Sequence, residues 1–384
     1  MSSWFFLATP FGADGKAAES TALKKLQSEA FGSGGKGHGE VTHLDVDKSK
    51  FKIGTLDQLV KLNDALIKVD NHLESIIKKI QKQAEEISED LQLKVETADD
   101  SLEVSDYVKK FKWEDTKYPR SRALVDIAQI ISEKMNSTDT EMKKHIDEYT
   151  QLKNQHYQYK KKEDGNFLSR DLGDVVYGKI DKKNFILDSK FLKNVLIIVS
   201  KNKQEYFKNN YESVGEGIVP RSARDLGTED NDGNRLFRVI VMENSVDTFL
   251  IKCKQKIGFT AKVFEYDEEK YQQELEEAKV IESKLNKVSG KLEKRCYYAY
   301  SDLISASMHL KVMRTYVDGV LRFGIPPKFL LTVAHTKHGN EKKVLKSLTD
   351  MFADPKMKGM YGTKEEIGDT EDFFPFVYIT ISTI

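Results

Sequence analysis

Three stretches of the chain repeat apolar residues at steps of three and four, the period of one face of an α-helix. The first follows Gly54, the second runs from Leu124 to Leu152, and the third runs from Tyr271 to Val320. The third would span about 75 Å at 1.5 Å per residue. Gly290 is its weak point, and Gly324-Ile325-Pro326-Pro327 ends it because proline lacks the helix N–H. The pattern predicts three long helices, the first with the seam Leu59, Leu62, Leu66, Val69, Leu73, Ile76, Ile80, Ala84, Ile87 and Leu91.

Between residues 160 and 270 the period changes to that of β-strands. Helical patterns at about 202–214 and 243–257 separate segments rich in β-branched and aromatic residues. This alternation predicts a small α/β domain. A mobile surface turn is expected from Arg221 to Asn234, which is rich in Gly, Asp and Asn. The predicted strands are Phe191–Val199, Leu236–Met242 and Phe259–Tyr266.

Both ends of the chain also carry strand patterns, at Trp4–Ala8, Phe329–Val333 and Phe376–Ser382. We expect these strands to share one sheet, because an isolated strand leaves its backbone groups unpaired. Separate edge hairpins are the alternative. A shared sheet makes the outer domain discontinuous, with the 160–270 domain inserted at the far end of two helical rods. The expected fold class is therefore mixed, helix-rich α+β and elongated.

Composition narrows the function classes. The chain has 384 residues, with 61 Lys and Arg against 61 Asp and Glu, so its formal net charge is zero and no general affinity for nucleic acid is expected. Cys253 and Cys296 form no metal or disulfide pattern and are interpreted as reduced thiols. No apolar run approaches the roughly 20 residues of a membrane span. Residues 1–10 also lack a signal-peptide pattern, so a soluble cytosolic protein is expected.

Each candidate catalytic motif lacks the neighbouring elements or residue types that its chemistry requires. Residues 32–37 match G-x-G-x-x-G but follow a helical pattern rather than a strand, which favours a flexible loop over a dinucleotide site. His38 and Gly39 stand where a phosphate-binding loop requires Lys and Ser or Thr. His38 and His43 lack the spacing of a helical zinc site. No nucleophile elbow is present, so we expect no enzyme, cofactor or metal.

Two further groups on the helices have alternative interpretations. The pairs Glu85-Glu86 and Glu276-Glu277 are typical of a solvated helix face rather than of a general acid and base. Tyr297, Tyr298 and Tyr300 are either a partner surface or packing residues, and packing is favoured.

Several short motifs, in order along nearly the whole chain, resemble the C subunit family of the vacuolar-type proton-pumping ATPase (V-ATPase). They are Trp4-Phe5-Phe6-Leu7-Ala8-Thr9-Pro10, Phe51-Lys52-Ile53-Gly54-Thr55-Leu56-Asp57, Phe111-Lys112-Trp113-Glu114, Lys117-Tyr118-Pro119, Phe185-Ile186-Leu187-Asp188-Ser189, Ile218-Val219-Pro220-Arg221-Ser222, Val320-Leu321-Arg322-Phe323-Gly324-Ile325-Pro326 and Phe374-Pro375-Phe376-Val377-Tyr378. The sequence departs from the family's pattern at 32–39 and around 225–234, where that pattern is variable.

The resemblance implies a non-catalytic peripheral-stalk (stator) component. Its foot domain and helical neck would come from residues 1–159 and 271–384, and its head domain from 160–270. In that family the head holds one heterodimer of the E and G subunits, and the foot holds a second one together with the membrane-sector protein called the a subunit. The family's members leave during reversible dissociation of the pump. Their place is the cytosolic face of vacuolar, lysosomal, other endomembranes or the plasma membrane, held there by the complex.

Two motifs are candidate partner interfaces. Pro220-Arg221-Ser222 combines a proline that fixes the loop with an arginine whose planar fork suits a carboxylate or backbone carbonyls. Arg221 either binds a partner or anchors its own loop. Phe323, Gly324 and Pro326 are the second set of candidates. Family members are also reported to bind actin filaments and, weakly, adenine nucleotide, and a cytoskeletal or tethering adaptor built on helical rods is the alternative function.

Overall fold

The computed structural model describes residues 3–10, 15–32, 37–89, 91–98, 100–163, 166–168, 171–187, 189–353, 361–362 and 373–381. Among them the α-helices are α1 (Gly15–Lys25), α2 (Leu56–Ile87), α3 (Val104–Lys109), α4 (Leu124–Glu163), α5 (Gly173–Val176), α6 (Gln204–Asn210), α7 (Val246–Lys252), α8 (Glu268–Phe323) and α9 (Glu341–Phe352). The strands are β1 (Ser3–Pro10), β2 (Gly39–His43), β3 (Val95–Glu96), β4 (Ser101–Leu102), β5 (Leu192–Ser200), β6 (Arg224–Glu229), β7 (Asn234–Met242), β8 (Thr260–Phe264), β9 (Phe329–Thr336) and β10 (Val377–Ile381).

The chain divides into two compact units. Unit 1 comprises Met1–Ile146 and Gly290–Ile384, and unit 2 comprises Asp147–Ser289. Both divisions fall within long helices, α4 and α8. The domain borders expected after residues 159 and 270 remain a prediction.

The three long helices are confirmed as α2, α4 and α8. Thr55 and Gln58 form a reciprocal capping box at the start of α2, which satisfies two backbone N–H groups. α8 passes through Gly290 without a break. The predicted seam of α2 is wrong at two positions: the helix ends at Ile87, before Leu91, and Asp70 is buried where Val69 is only half-buried.

In unit 1 the strands from both chain ends share one antiparallel sheet of order β10-β1-β9-β2, as predicted. Phe5 and Leu7 pack on one face with residues of α9 and of the turn after α1. Phe6 lies on the other face, with its ring centroid 6.3 Å from that of Phe111. Both faces are covered, which explains why residues 4–9 are buried without alternation.

In unit 2 a second sheet has the order β6-β7-β5-β8. Its strands pair antiparallel, so this sheet is of the α+β kind rather than the α/β kind that we expected. One face packs on α6 and α7, through residues such as Phe207 and Phe249. The other face is covered by the segment from Phe167 to Phe185. The sheet is therefore the middle of three layers.

The mobile turn predicted from Arg221 to Asn234 is wrong. Arg224–Glu229 forms β6, which pairs with β7. The turn itself is short: Gly233 N–H and Asn234 N–H donate to the backbone oxygen and the Oδ1 of Asp230, at 3.0 and 2.8 Å. The polar sequence of β6 concealed it, because an edge strand needs few apolar residues.

Candidate partner-binding surfaces

In unit 2 the segment Gly217–Ser222 (the 217–222 loop) runs beside β7. Met242 N–H donates to the Gly217 carbonyl at 2.8 Å, and Val219 N–H donates to the Ile240 carbonyl at 3.0 Å. Ile240 N–H in turn donates to Ser222 Oγ at 3.1 Å. Ser222 is buried, so its hydroxyl holds the loop against the strand. Of the three candidates here, Pro220 and Arg221 face solvent.

Arg221 has a φ of 55°, a left-handed conformation that costs a non-glycine residue about 1–2 kcal/mol. Its backbone N–H donates to Glu212 Oε1 at 2.8 Å, and Tyr211 Oη donates to the same oxygen at 2.8 Å. The backbone bond from Arg221, followed by the Tyr211 bond, lowers the pKa of Glu212. The backbone of Arg221 therefore anchors the loop while its side chain is exposed, and these two roles are compatible.

Two exposed apolar side chains lie at the ends of the strands β5 and β7, of which β7 runs beside this loop. Phe191 is 79% exposed and Met242 is 49% exposed. Their backbones are neighbours, because Glu243 N–H donates to the Phe191 carbonyl at 2.9 Å and Leu192 pairs with Met242. We refer to Phe191, Pro220, Arg221 and Met242 as the unit-2 surface. Large exposed apolar groups and an exposed arginine are each typical of protein-binding sites.

In unit 1 the end of α8 forms a second candidate surface. Gly324 ends the helix with a φ of 83°, and its N–H donates to the Val320 carbonyl at 2.9 Å. Phe323 packs inward, with its ring centroid 5.7 Å from that of Phe329. Ile325 is 64% exposed and Pro326 is also exposed, and the bond between them is cis. We call Gly324, Ile325 and Pro326 the unit-1 tip.

Arg322 positions this tip. Its Nη1 donates to the carbonyl oxygens of Phe374 and Phe376, which precede β10. Sequence reasoning selected Phe323 and missed Ile325, whose exposure is seen only in the structure.

Groups considered for chemistry lie apart or are buried. Burial raises the pKa of the Cys253 thiol to about 12 and that of Cys296 to about 11, so neither thiol is reactive. No group of three or more His, Cys, Asp or Glu residues suited to a metal occurs among the described residues. His43 is exposed at the end of β2. Of the glycine-rich motif at 32–37, residues 33–36 lie outside the described residues.

The three tyrosines of α8 divide between the two interpretations. Tyr300 is buried, and Gln81 donates to its hydroxyl at 3.4 Å. Tyr297 Oη bonds to Ser101 Oγ at 2.9 Å and donates to Glu96. Tyr298 is 63% exposed. The packing interpretation is thus correct for Tyr300 and Tyr297, whereas Tyr298 is exposed and can contact a partner.

Unit 1 also buries a group of charges between α2 and α8 that sequence reasoning missed. Lys311 Nζ lies 2.9 Å from Asp70 Oδ2 and 2.7 Å from Glu74 Oε1, and Arg314 also pairs with Asp70. The side chains of Lys311 and Asp70 are each 2% exposed. A signal was present: Asp70 lies four residues after Leu66 and three before Leu73, a core position of the α2 seam.

Comparison with known proteins places these features in a family. A family model for the C subunit of the V-ATPase matches residues 5–377, a span that includes the unit-2 surface and the unit-1 tip. The chain belongs to the V-ATPase C subunit family. The V-type proton ATPase C subunit 1-A of Danio rerio is 32% identical over 303 residues, which cover 78% of this chain and 77% of that protein.

Two further relatives agree with this family assignment. The V-type proton ATPase C subunit 1-B of Danio rerio is 30% identical, covering 86% of this chain and 87% of that protein. The V-type proton ATPase C subunit 1 of Xenopus laevis is 29% identical with the same coverages of 86% and 87%. Within the described residues, no helix combines the length and apolar character that a bilayer crossing requires.

Proposed function

We propose that this chain is a non-catalytic stator component of a V-type proton ATPase. In this proposal unit 2 holds one E–G heterodimer, and unit 1 holds a second heterodimer and the membrane-sector protein called the a subunit. The complex keeps the chain at the cytosolic face of an acidifying membrane, and the chain leaves when the pump dissociates reversibly. The observation that carries the proposal is a family match that covers both units.

A rotary motor supplies the physical reason for such a component. Torque on the rotor must be resisted by a static connection, and one chain with a binding surface in each of two units can provide it. Once one surface is bound, the second binds at the effective concentration set by the link between them. Two moderate contacts then hold firmly together, and each can still be released separately.

The unit-2 surface has the composition that such a contact needs. Aromatic residues and arginine dominate the energetics of protein interfaces, and Phe191 and Arg221 expose both kinds of group. The 217–222 loop is held by backbone hydrogen bonds before any partner arrives. Binding therefore costs little ordering entropy.

Isolation of the native full-length chain tests the proposed function directly. We expect E, G and catalytic subunits of the proton pump to copurify with it. Copurification of actin without pump subunits would instead favour the cytoskeletal adaptor. ATP hydrolysis that stays with the isolated chain and disappears on substitution of one of its residues would contradict the non-catalytic role.

A substitution in the full-length chain tests the unit-2 surface. Phe191→Asp should weaken binding of purified E–G heterodimer by about 30-fold or more if Phe191 is a central contact, mainly through faster dissociation. The matched control is Ile251→Asp, because Ile251 is a 58% exposed apolar residue of α7 in the same unit. Equal affinities for the two variants in surface plasmon resonance would refute this surface as the binding site.

A further inference from the structure

Arg238 is a buried arginine of unit 2 that makes no ion pair with the described residues. It lies on β7 and is 8% exposed. Its Nε is buried without a hydrogen-bond partner, and none of the ion pairs within the described chain includes it. Buried arginines are almost always paired, because an unpaired charge in an apolar layer is costly.

The neighbours of Arg238 on its face of the sheet make this cost larger. Leu196 stands opposite on β5, and Leu236 lies on the same face of β7. Opposite on β6 stands Arg224, a second cation, whose Nη1 donates to the neutral Asn184 Oδ1 at 2.9 Å. Like charges directly opposite each other destabilise a sheet. Burial and the charge of Arg224 accordingly lower the pKa of Arg238.

The same two strands pair their other arginine with acids. Arg235 Nη1 lies 3.2 Å from Asp225 Oδ2, and Arg235 Nε lies 3.6 Å from Glu229 Oε2. Asp225 stands opposite Phe237, so its side chain is on the face away from Arg238. Within the described residues, these two strands therefore have carboxylates on one face, whereas Arg224 and Arg238, opposite each other, make no ion pair on the other face.

We propose that Arg224 and Arg238 form a binding site for a phosphate group. Two guanidinium groups carry two positive charges, and a phosphate monoester carries about −1.5 to −2 at neutral pH, so a dianion balances the pair better than a single carboxylate does. The planar fork of arginine donates two parallel hydrogen bonds to such an oxyanion. Arg238 forms the floor of the site and the exposed Arg224 forms its entrance.

The phosphate group can belong to free inorganic phosphate or to a monoester. Isothermal titration of the full-length chain at constant ionic strength, with inorganic phosphate in one arm and phenyl phosphate in the other, distinguishes these sources. Saturable binding of one equivalent in either arm supports the site, and the tighter arm identifies the source. Acetate is the third arm, and acetate binding as tight as that of both phosphates would overturn the assignment to a phosphate group.

Variants locate the site on the chain. Arg238→Met should weaken phosphate binding at least about tenfold, because charge-assisted hydrogen bonds are lost. Arg224→Met, at an exposed position, should weaken it as well and serves as the second probe if Arg238→Met does not fold. Arg235→Met is the matched control on β7 and should bind within about twofold of the unsubstituted chain, because Arg235 faces the other side of the sheet.

Two further results would overturn the proposal. One is the absence of saturable phosphate binding by the unsubstituted chain at constant ionic strength. The other is a folded Arg238→Met or Arg224→Met variant that binds phosphate as tightly as the Arg235→Met control. Neither result depends on whether unit 2 binds another component of the pump, so this test is independent of the proposed function.

Discussion

Two buried cationic side chains, Lys311 of unit 1 and Arg238 of unit 2, have opposite surroundings. In unit 1, Lys311 is 1% exposed and lies within 3 Å of two carboxylates, Asp70 and Glu74. In unit 2, Arg238 is 8% exposed and stands opposite another cation. A buried cation with carboxylate partners can specify how two helices meet, whereas a buried cation without a carboxylate partner can accept an anionic group from a ligand.

A third buried side chain, His309 on α8, shows that the surroundings of a titratable group decide whether it is charged. His309 is two residues from Lys311, yet aromatic rings surround it, with the rings of Phe111, Trp113 and Tyr118 centred 4.6–4.9 Å away. Its Nδ1 lies 2.7 Å from the Ser305 carbonyl, which can only accept, so Nδ1 carries the proton. Its Nε2 accepts from Glu114 N–H at 2.9 Å, and the ring is neutral.

The largest expected effect on the free energy of unfolding is at Lys311, the buried cation with carboxylate partners. Lys311→Met removes the cation that Asp70 and Glu74 share and leaves Asp70 paired with Arg314. Removal of one partner from a buried ion pair costs about 3–5 kcal/mol. Denaturant unfolding of the variant measures this loss. Lys25→Met is the control, because Lys25 is 56% exposed and 4.0 Å from Glu29, and exposed pairs contribute at most about 1 kcal/mol. Similar losses in both variants would contradict the comparison.

The next effect is a pH dependence at His309. Burial lowers its pKa to about 4, against 6.5 for the ordinary side chain. As the pH falls, the unfolded chain therefore takes up a proton on His309 before the folded chain does. The stabilisation that the neutral His309 ring contributes is complete above pH 6.5 and is lost as the pH falls from 6.5 to about 4. The full difference is about 3 kcal/mol.

His309→Gln should abolish this part of the pH dependence of the unfolding free energy. Glutamine keeps one donor and one acceptor but does not titrate. The control is His72→Gln, at an exposed position of α2, which should leave the His309 contribution in place. An unchanged slope between pH 4 and 6.5 in His309→Gln would show that the neutral ring does not cause it.

The substitution made at Lys311 should have the opposite result at Arg238. Without added phosphate, Arg238→Met replaces an unpaired buried cation by an apolar side chain, so the free energy of unfolding should stay within about 1 kcal/mol of the original or increase. Denaturant unfolding at low ionic strength is the measurement. A loss as large as that of Lys311→Met would mean that Arg238 already has a partner.

The smallest effect concerns the arginines that flank this position. Arg224→Gln removes like-charge repulsion and should raise stability by about 0.2–1 kcal/mol. Arg235→Gln removes the pairing to Asp225 and Glu229 and should lower stability by up to about 1 kcal/mol. Both changes should shrink as salt is added. Thermal unfolding of the two variants in parallel tests whether their signs differ.

Much of the fold could be predicted from local pattern. The seams of α2, α4 and α8 follow helical periodicity over many turns, and the terminal strands are apolar without interruption. β2 and β6 were missed, because both are polar edge strands whose formation depends on β9 and β7. The candidate surfaces were found only in part: the loop at Pro220-Arg221 was selected, whereas Phe191, Met242 and Ile325 became visible through their exposure.

The sequence by itself determined the long helices, the terminal strands and the motifs of the V-ATPase C subunit family. These features depend on residue type and on neighbours within a few turns. Only the tertiary structure decided which charges are buried and how they are paired. Asp70 pairs with Lys311, which is 241 positions away in the sequence. Arg224 stands opposite Arg238 only through the register of two strands. Such contacts between residues far apart in the sequence depend on how distant segments pack, and local periodicity carries no information about them.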